Sequence, residues 1–352
     1  MNKIDELLKD GLSQNSSDLH FISGDPPRVR VHGALKLLDD QALTTDAVEE
    51  ALYEIMTGST QKDFEANDTV DFAYEIKRLS RFRVNVMRHL NGIGAVFRTI
   101  PSKALTLQEL SMPEVVANLC KQTQGMILVT GKTGSGKSTT LAAMIDAINK
   151  RLKGHIITIE DPIEFVHDRQ NCLISQREVG RHTNNFAAAL HSALREDPDV
   201  ILVGELRDLE TISAAVTAAE MGILVMGTLH TNGAAQTVDR IINSFPAEKQ
   251  AHIRTMLSTS LRGVISQQLL PKKDKSGRLA ALEIMVNTPA VANQIRQGKL
   301  EQLETSMQSG KRAGMQTMDT ALMNLVEENQ VSALDAYQHA NNKVNFKALI
   351  ED

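Results

Sequence analysis

Residues 125–141 read GMILVTGKTGSGKSTTL, in which a short apolar run leads into a glycine-rich loop and then into a helical pattern. Residues 126–130 have the length and composition of a buried strand, and the apolar positions from residue 141 onward recur at the spacing of one helix face. The loop between them matches the pattern G-x-x-x-x-G-K-S. A strand, a glycine-rich loop and a helix in this order predict an α/β fold with a parallel sheet.

The loop has the chemistry of a phosphate-binding site. Its glycines allow several backbone N–H groups to turn towards one anion, and the N-terminus of the following helix adds partial positive charge. Lys137 would neutralise the β- and γ-phosphates of ATP, and the hydroxyl of Ser138 would bind Mg²⁺. The alternative is a flexible loop that matches the pattern by chance. The nucleotide-binding residues that we predict are Gly131, Lys132, Thr133, Gly134, Ser135, Gly136, Lys137, Ser138 and Thr139.

A second apolar run, residues 200–203, ends in Gly204 and Glu205. A carboxylate at the end of a buried strand is the Walker-B arrangement of P-loop ATPases. Glu205 would reach Mg²⁺ directly or through a water molecule, since hard oxygen ligands suit that ion. The metal ligands that we predict are therefore Ser138 and Glu205. The alternative is a buried strand whose acidic end is simply exposed to solvent.

Three carboxylates, Glu160, Asp161 and Glu164, follow another predicted strand at residues 156–159. The carboxyl ends of parallel strands meet at the ligand-binding edge of a sheet. A carboxylate near the γ-phosphate can position and deprotonate the attacking water. We predict Glu164 as this general base, with Glu160 and Asp161 supporting the loop or the water shell of the metal. The alternative is a solvated acidic turn.

His230 ends the next predicted strand, within GTLHT at residues 227–231. At the same edge of the sheet, an imidazole could donate a hydrogen bond to the γ-phosphate and report its presence to the rest of the subunit. The alternative is a structural hydrogen-bond donor. The predicted catalytic residues are therefore Lys137, Glu164, Glu205 and His230.

We identify no cation in the loops of the core that would complete the charge of the transition state. In the N-terminal part of the chain, Arg81 and Arg83 share one face of a predicted strand, and Arg98 lies on a nearby strand. Guanidinium groups make planar bidentate contacts with phosphate. If subunits pack in a ring, these three arginines could reach the nucleotide of a neighbouring subunit. The alternative is an ordinary solvated sheet face.

Patterning divides the chain into four parts. Residues 1–99 predict a small α+β domain, and residues 100–119 a linker, since the pattern breaks around Pro101. Residues 120–288 alternate strands with helices, which is typical of a parallel sheet with crossover connections. Residues 289–352 are helical. Within the core, the apolar spacing predicts one long helix that begins after Pro246 and extends to Ile265.

Bulk composition limits the classes of function. A chain of 352 residues with 42% hydrophobic and 23% charged residues is typical of a soluble protein of two domains. No apolar run is long enough to cross a bilayer and the first residues have no apolar signal core, so we expect a cytoplasmic protein. A net charge of −5 and 3% aromatic residues disfavour nucleic acid as a partner.

With these motifs assembled, the sequence resembles the secretion-ATPase superfamily and, within it, the type IV pilus retraction ATPases that power twitching motility. The resemblance covers nearly the whole chain. Its most specific parts are GKTGSGKSTT at the phosphate loop, TIEDPIEF as the aspartate box, DPDVILVGELRDLET as Walker B and GTLHT as the histidine box. The stretches QREVG, RVNVMRHLNGIGAVFRTIP and GMQTMD are also similar to this subfamily.

The resemblance implies a homohexameric ATP-hydrolysing motor with a RecA-like P-loop core, a smaller PAS-like N-terminal α+β domain and a helical C-terminal extension. It also implies that nucleotide is held between the two domains. The implied partner is an inner-membrane pilus platform protein, so the motor would lie at the inner face of the inner membrane, peripheral and not inserted. The sequence departs from the subfamily at residues 290–296, AVANQIR, where the motif Ala-Ile-Arg-Asn-Leu-Ile is usual.

Other functions stay open at this point. An accessory retraction ATPase would carry the same motifs. A pilus assembly or type II secretion ATPase of the same superfamily typically adds an N-terminal domain and a four-cysteine zinc module, whereas this chain has Cys120 and Cys172 and no C-x-x-C. A RecA-like nucleic-acid translocase is a different class, which the acidic balance disfavours. An inactive nucleotide-binding regulator would be expected to lack Lys137 or Glu164, and both are present.

Overall fold

Two separate β-sheets organise the chain. The computed structural model describes residues 3–31, 33–77, 79–100 and 104–351. Within it the chain divides into a first unit, Met1–Lys103, and a second unit, Ala104–Asp352. The first unit contains a six-stranded sheet and the second a seven-stranded sheet. Each unit therefore has a sheet and a core of its own.

The first unit is an antiparallel sheet with helices. Its elements are α1 (Lys3–Ser13), β1 (Asp18–Ile22), β2 (Arg28–Val31), β3 (Ala34–Leu37), α2 (Thr45–Ile55), α3 (Gly58–Asn67), β4 (Thr69–Ile76), β5 (Ser80–His89) and β6 (Gly92–Ile100). The strand order is β3-β2-β1-β6-β5-β4. Along β5, Phe82, Val84 and Val86 are buried in the core of this unit. Arg81 and Arg83 alternate with them and therefore point to the other face.

The second unit is built on a mostly parallel sheet. Its elements up to the last strand are α4 (Glu114–Leu119), β7 (Gly125–Thr130), α5 (Lys137–Arg151), β8 (His155–Glu160), β9 (Leu173–Glu178), α6 (Phe186–Ala193), β10 (Val200–Val203), α7 (Leu209–Glu220), β11 (Leu224–Leu229), α8 (Ala234–Asn243), α9 (Ala247–Ser260), β12 (Leu261–Pro271) and β13 (Arg278–Val286). The strand order is β13-β12-β7-β11-β10-β8-β9. All neighbouring pairs are parallel except β12 with β13.

Helices cover both faces of this sheet, which explains why its central strands are continuous apolar runs. One face packs against α6, α7, α8 and α9, and the other against α4 and α5. Strands β7, β10 and β11 are buried along their whole length. Because these strands are parallel, β7, β8, β10 and β11 all end at one edge of the sheet, where the predicted site residues follow them.

The C-terminal part is helical, with α10 (Pro289–Gln297), α11 (Leu303–Ser309), α12 (Met318–Glu327), α13 (Ala333–His339) and α14 (Val344–Glu351). Helices α10 and α11 join the core of the second unit. Helices α12, α13 and α14 form a smaller apolar cluster with Leu270 of β12 and Ala281 of β13. The predicted α/β core, smaller α+β unit and helical C-terminal extension are confirmed.

Three details of the sequence prediction are wrong. The helix after Pro246 ends at Ser260, and the apolar residues from Leu261 onward form strand β12, buried between β7 and β13. A short apolar run in a buried strand fits helical spacing equally well. Strand β9 was not predicted, and β13 is antiparallel, so the sheet is mixed.

No helix in the described part of the chain combines the length and the apolar character required to span a bilayer.

Candidate active site

The glycine-rich loop lies between the carboxyl end of β7 and the first turn of α5, as predicted. Gly131 begins the loop with φ of 140°, a backbone conformation that other residues rarely adopt. A Cβ atom at this position would collide with the carbonyl oxygen of Gln267 on β12. The close approach of β12 therefore requires glycine here. At the tip of the loop, the side chains of Lys132 and Thr133 are exposed.

Lys137 is buried and folds back onto its own loop. Its Nζ atom donates hydrogen bonds to the carbonyl oxygens of Gly131, at 2.8 Å, and Lys132, at 3.0 Å. Burial lowers the pKa of the Lys137 ammonium below its ordinary value, while the charges of Glu205 and Glu164 act in the opposite direction. Both predicted carboxylates are thus close enough to influence this ammonium.

Two further groups prepare the loop for an anion. The hydroxyl of Ser135 is buried and has no hydrogen-bond partner among the residues that the structure describes. An unpartnered buried hydroxyl is costly, and a phosphate oxygen is a suitable partner for it. Behind the loop, the hydroxyl of Thr140 donates a hydrogen bond of 2.7 Å to Oε1 of the buried Gln267. This contact ties α5 to β12.

Glu205 lies two residues beyond the last residue of β10, after Gly204, where there is little room for a side chain. A Cβ atom at residue 204 would lie 3.2 Å from both Cα of Glu160 and the carbonyl oxygen of Ile159. The backbone N–H of Gly204 donates a 2.7 Å hydrogen bond to the same carbonyl oxygen. The tight approach of β10 to β8 explains why a glycine precedes the carboxylate, and it brings Glu205 next to the segment that carries Glu164.

The segment that carries Glu164 is held by polar side chains of β8 and β9. The N–H of Glu164 donates to Oε2 of Glu160, at 3.3 Å, and the N–H of Ile163 donates to Oε2 of Glu178, at 3.2 Å. Gln176 donates to Oε1 of Glu160 and to the carbonyl oxygen of Phe165. Burial raises the pKa of Glu160. Glu160 therefore supports the loop, one of its two predicted roles, while the Glu164 side chain is exposed.

Glu205 is engaged by two cationic or ionisable side chains. Nε of Arg207 lies 2.7 Å from Oε2 of Glu205, and Nε2 of His230 lies 3.2 Å from Oε1. Arg207 also approaches Asp161, at 4.0 Å. Arg207 is thus a cation of the core loops that the sequence analysis did not name, and in this structure its guanidinium is paired with carboxylates of the site. The sequence does place Arg207 only two residues after Glu205, which could have indicated this pairing. No sequence pattern indicates the supporting roles of Gln176 and Gln267.

Arg81, Arg83 and Arg98 belong to the first unit and lie on the face of its sheet opposite the core. In that unit, Nε of Arg83 lies 3.6 Å from Oδ1 of Asp71, and Nε of Arg98 lies 2.9 Å from Oδ1 of Asp18. Arg83 and Arg98 are also direct neighbours across the pairing of β5 with β6. The three arginines thus form one exposed or half-exposed group on the sheet.

The edge of the second sheet offers oxygen ligands suited to Mg²⁺. The hydroxyl of Ser138 lies in the first turn of α5, and the carboxylate of Glu205 follows β10 near Lys137. Hydroxyl and carboxylate oxygens are hard ligands, and Mg²⁺ usually binds only one or two protein groups together with phosphates and water. The residues present therefore fit this metal.

This fold and this edge of the sheet define a class: a P-loop nucleotide-binding protein in which Lys137, Glu164 and Glu205 converge on the glycine-rich loop. The sequence model of the family described as "Type II/IV secretion system protein" matches residues 1–351, and the chain belongs to this family.

Individual relatives narrow the class. The chain is 52% identical over 343 residues to the "Type IV pilus retractation ATPase PilT" of Pseudomonas aeruginosa, an alignment that covers 97% of this chain and 99% of that protein. It is 49% identical over 336 residues to a "Twitching motility protein" of Neisseria gonorrhoeae, covering 96% and 90%. Among solved structures, "Crystal Structure of the Pilus Retraction Motor PilT and Bound ADP" superposes with a TM-score of 0.92 at 43% identity, covering 98% and 99%. The resemblance predicted from the motifs is confirmed.

Proposed function

We propose that this chain is the ATPase subunit of a homohexameric motor that disassembles type IV pili and so powers twitching motility. The observation that carries the proposal is the glycine-rich loop between β7 and α5, with Lys137 folded onto it, at the sheet edge where Glu205 is paired with Arg207 and His230. It is supported by similarity to a pilus retraction ATPase along nearly the whole chain.

Nucleotide binding would begin with an exchange of partners at Lys137. The ammonium leaves the carbonyl oxygens of Gly131 and Lys132 and donates to the β- and γ-phosphates of ATP. Because the ammonium is already largely removed from water, the exchange costs little further desolvation. Backbone N–H groups of the loop and the buried hydroxyl of Ser135 supply additional donors.

Hydrolysis would rest on Glu164 and Glu205. Glu164 holds the attacking water and accepts its proton while the water oxygen bonds to the γ-phosphorus, and the bond from that phosphorus to the β,γ-bridging oxygen breaks, so that ADP leaves with that oxygen. Glu205 and Ser138 would hold Mg²⁺, which when bound neutralises charge on the phosphate oxygens. Arg207 and His230, each on one oxygen of Glu205, orient that carboxylate. The hydrogen bond from the Glu164 N–H to Glu160 fixes the segment that presents the base.

The remaining parts of the proposal concern assembly. The three arginines of the first unit, Arg81, Arg83 and Arg98, would contact the nucleotide of a neighbouring subunit. The ring would act on an inner-membrane platform protein from the cytoplasmic side, without inserting into the membrane. Most homo-oligomers close into rings or other point groups, which supports a closed assembly.

Phosphate release from ATP by the purified chain tests the chemical part. We expect release that requires Mg²⁺, is abolished by EDTA and is unchanged by single-stranded DNA. Stimulation by single-stranded DNA would instead support a nucleic-acid translocase. No release under any of these conditions, with nucleotide still bound, would contradict the ATPase assignment.

Deletion of the gene in its own host tests the direction of the motor. A retraction motor predicts cells with excess surface pili and no twitching, and complementation with the wild-type chain but not with Lys137→Ala should restore motility. Cells without pili would indicate an assembly motor and overturn the retraction proposal. Residual twitching with normal pili would indicate an accessory motor.

A further inference from the structure

Glu283 is a buried carboxylate outside the nucleotide site, with both oxygens engaged by helix N-termini. It lies on β13 and is 5% exposed. Oε1 accepts a 2.7 Å hydrogen bond from the N–H of Ala234, the first residue of α8. Oε2 accepts a 3.2 Å hydrogen bond from the N–H of Met318, the first residue of α12. A single side chain therefore joins two helices that are distant in sequence.

The start of α8 is the end of the segment that carries His230. Next to His230, Thr231 shares a 2.7 Å hydrogen bond with the hydroxyl of Thr237 in α8. Thr237 in turn lies 3.5 Å from the hydroxyl of Thr130, the residue that precedes the glycine-rich loop. The N–H of Gly233 donates a 2.9 Å hydrogen bond to Ser266 of β12. The first turn of α8 is thus connected to the nucleotide edge of the sheet.

The start of α12 is connected to the C-terminal helices. Gln316, which precedes α12, pairs with Ile284 through two backbone hydrogen bonds of 2.9 and 3.0 Å. From α12, Met318 and Leu322 pack into the apolar cluster that contains residues of α13 and α14. A displacement of the first turn of α12 would therefore be passed to these helices.

The carboxylate of Glu283 is placed to interact with two helix N-termini. The pKa of Glu283 is raised above its ordinary value, chiefly by burial and also by the charges of Glu304 and Asp319, although the two amide donors act to lower it. Negative charge at a helix N-terminus is stabilising because of the partial positive charge there. Burying a carboxylate is costly compared with an apolar residue of similar size, so the role of Glu283 is to fix geometry rather than to add stability.

We infer that Glu283 is a positioning residue for ATP hydrolysis, which holds the segment carrying His230 and the first turn of α12 in one arrangement. Movement of His230 with the state of the nucleotide is thereby passed to the C-terminal helices. The inference rests on the proposed ATPase function, because it assigns the arrangement of His230 to that reaction. Glu283 does not touch the nucleotide site directly.

Glu283→Gln is the main test. The amide of glutamine has nearly the same size as the carboxylate. Its NH₂ group is a donor, however, so it cannot accept a hydrogen bond from one of the two backbone N–H groups. We expect kcat to fall by roughly tenfold with KM and nucleotide affinity nearly unchanged, since Lys137 is untouched. In hydrogen exchange, binding of a non-hydrolysable ATP analogue should alter the first turns of both α8 and α12 in the wild type, but only α8 in the variant.

Met318→Pro removes the second hydrogen bond without changing Glu283. Proline is tolerated at the first position of a helix, and Thr317 before it already has the extended φ of −81° and ψ of 162° that proline requires. Met318→Ala is the matched control for loss of the buried side chain. We expect Met318→Pro to lower kcat relative to Met318→Ala.

The outcomes separate the inference from the proposed function. Equal kcat values for Met318→Pro and Met318→Ala would overturn the role of Glu283. So would hydrogen exchange at the first turn of α12 that does not change when the wild type binds nucleotide. If Glu283→Gln does not fold, the comparison at Met318 decides. A wild-type chain that binds nucleotide without hydrolysing it would refute the ATPase proposal. The hydrogen-exchange experiment would still test the coupling between α8 and α12, because it requires only nucleotide binding.

Discussion

The Nε2 atom of His230 lies 3.2 Å from Oε1 of Glu205, so the side chains that follow β11 and β10 meet at the nucleotide edge of the sheet. Arg207 holds the other oxygen of the same carboxylate. Glu205 is therefore oriented from both sides, and a change at either partner is expected to alter the reaction more than the binding of nucleotide.

Replacement of Arg207 tests this arrangement. Arg207→Lys keeps the charge, but a single ammonium cannot reproduce the planar set of donors that faces Glu205 and Asp161. We expect kcat to fall by roughly tenfold or more with ADP affinity preserved. Arg240→Lys, an exposed arginine of α8, is the control and should keep wild-type turnover. Normal turnover in Arg207→Lys would show that Arg207 has no part in orienting Glu205.

Removal of the proposed base is a second prediction. Glu164→Gln should keep nucleotide binding and lose turnover by roughly 10²-fold or more, the usual scale for a general base. Asp168→Asn, an exposed carboxylate just beyond the same segment, should change neither. Phosphate release and ADP titration check both variants. Near-normal hydrolysis by Glu164→Gln would shift the role to Asp161 or Glu160.

The pKa of Lys137 predicts a pH dependence of nucleotide binding. Burial holds this pKa below the ordinary value in the free protein, and bound phosphates would raise it, so binding takes up a proton once the pH exceeds the free-state pKa. ADP affinity should therefore be constant at lower pH and fall by up to about tenfold per pH unit above that pKa. Fluorescence titration with labelled ADP across this range measures the effect.

The control for that titration is Lys137→Ala, which should bind ADP weakly and with no such decline. An affinity of the wild type that is independent of pH up to the ordinary range of a lysine would contradict the argument.

Arginines of the first unit give a prediction about assembly. Arg81→Ala or Arg83→Ala should reduce hydrolysis and leave nucleotide affinity largely intact, because the arginines would act on a neighbouring subunit. Arg28→Ala removes a partly exposed arginine of the same sheet, paired with Asp25, and serves as the control. Light scattering with ATP and Mg²⁺ should report a closed oligomer. A protein that stays monomeric at micromolar concentration would count heavily against this prediction.

The altered segment at residues 290–296 gives the last prediction. Val291 and Ile295 are fully buried on one face of α10, whereas Asn293 and Arg296 are exposed. If the exposed pair transmits motion to the partner, the double alanine variant should hydrolyse ATP normally and lose twitching. Lys299→Ala is the surface control. Normal motility of the double variant would contradict this prediction. Loss of both turnover and motility would indicate a structural role, which the hydrogen bond from Arg296 to Ser258 would explain.

Much of the nucleotide site was predictable because its signals are local. Residues 131–138 specify their own conformation through glycines, a lysine and a following helix, and they need no information from the rest of the chain. Glu164, Glu205 and His230 were placed at one edge because each follows an apolar strand, and parallel strands end together.

Contacts between distant parts of the chain required the folded structure. Arg207 meets Asp161 only because β10 lies beside β8, and Gln267 reaches the phosphate loop only because β12 pairs with β7. The run that begins at Leu261 shows the same limit, since its apolar spacing fits a helix until β7 and β13 enclose it. Glu283 is the clearest case, because no sequence pattern near it predicts that one carboxylate accepts hydrogen bonds from the N-termini of two helices. Strand order and register set such contacts, and these depend on packing throughout the unit rather than on neighbouring residues.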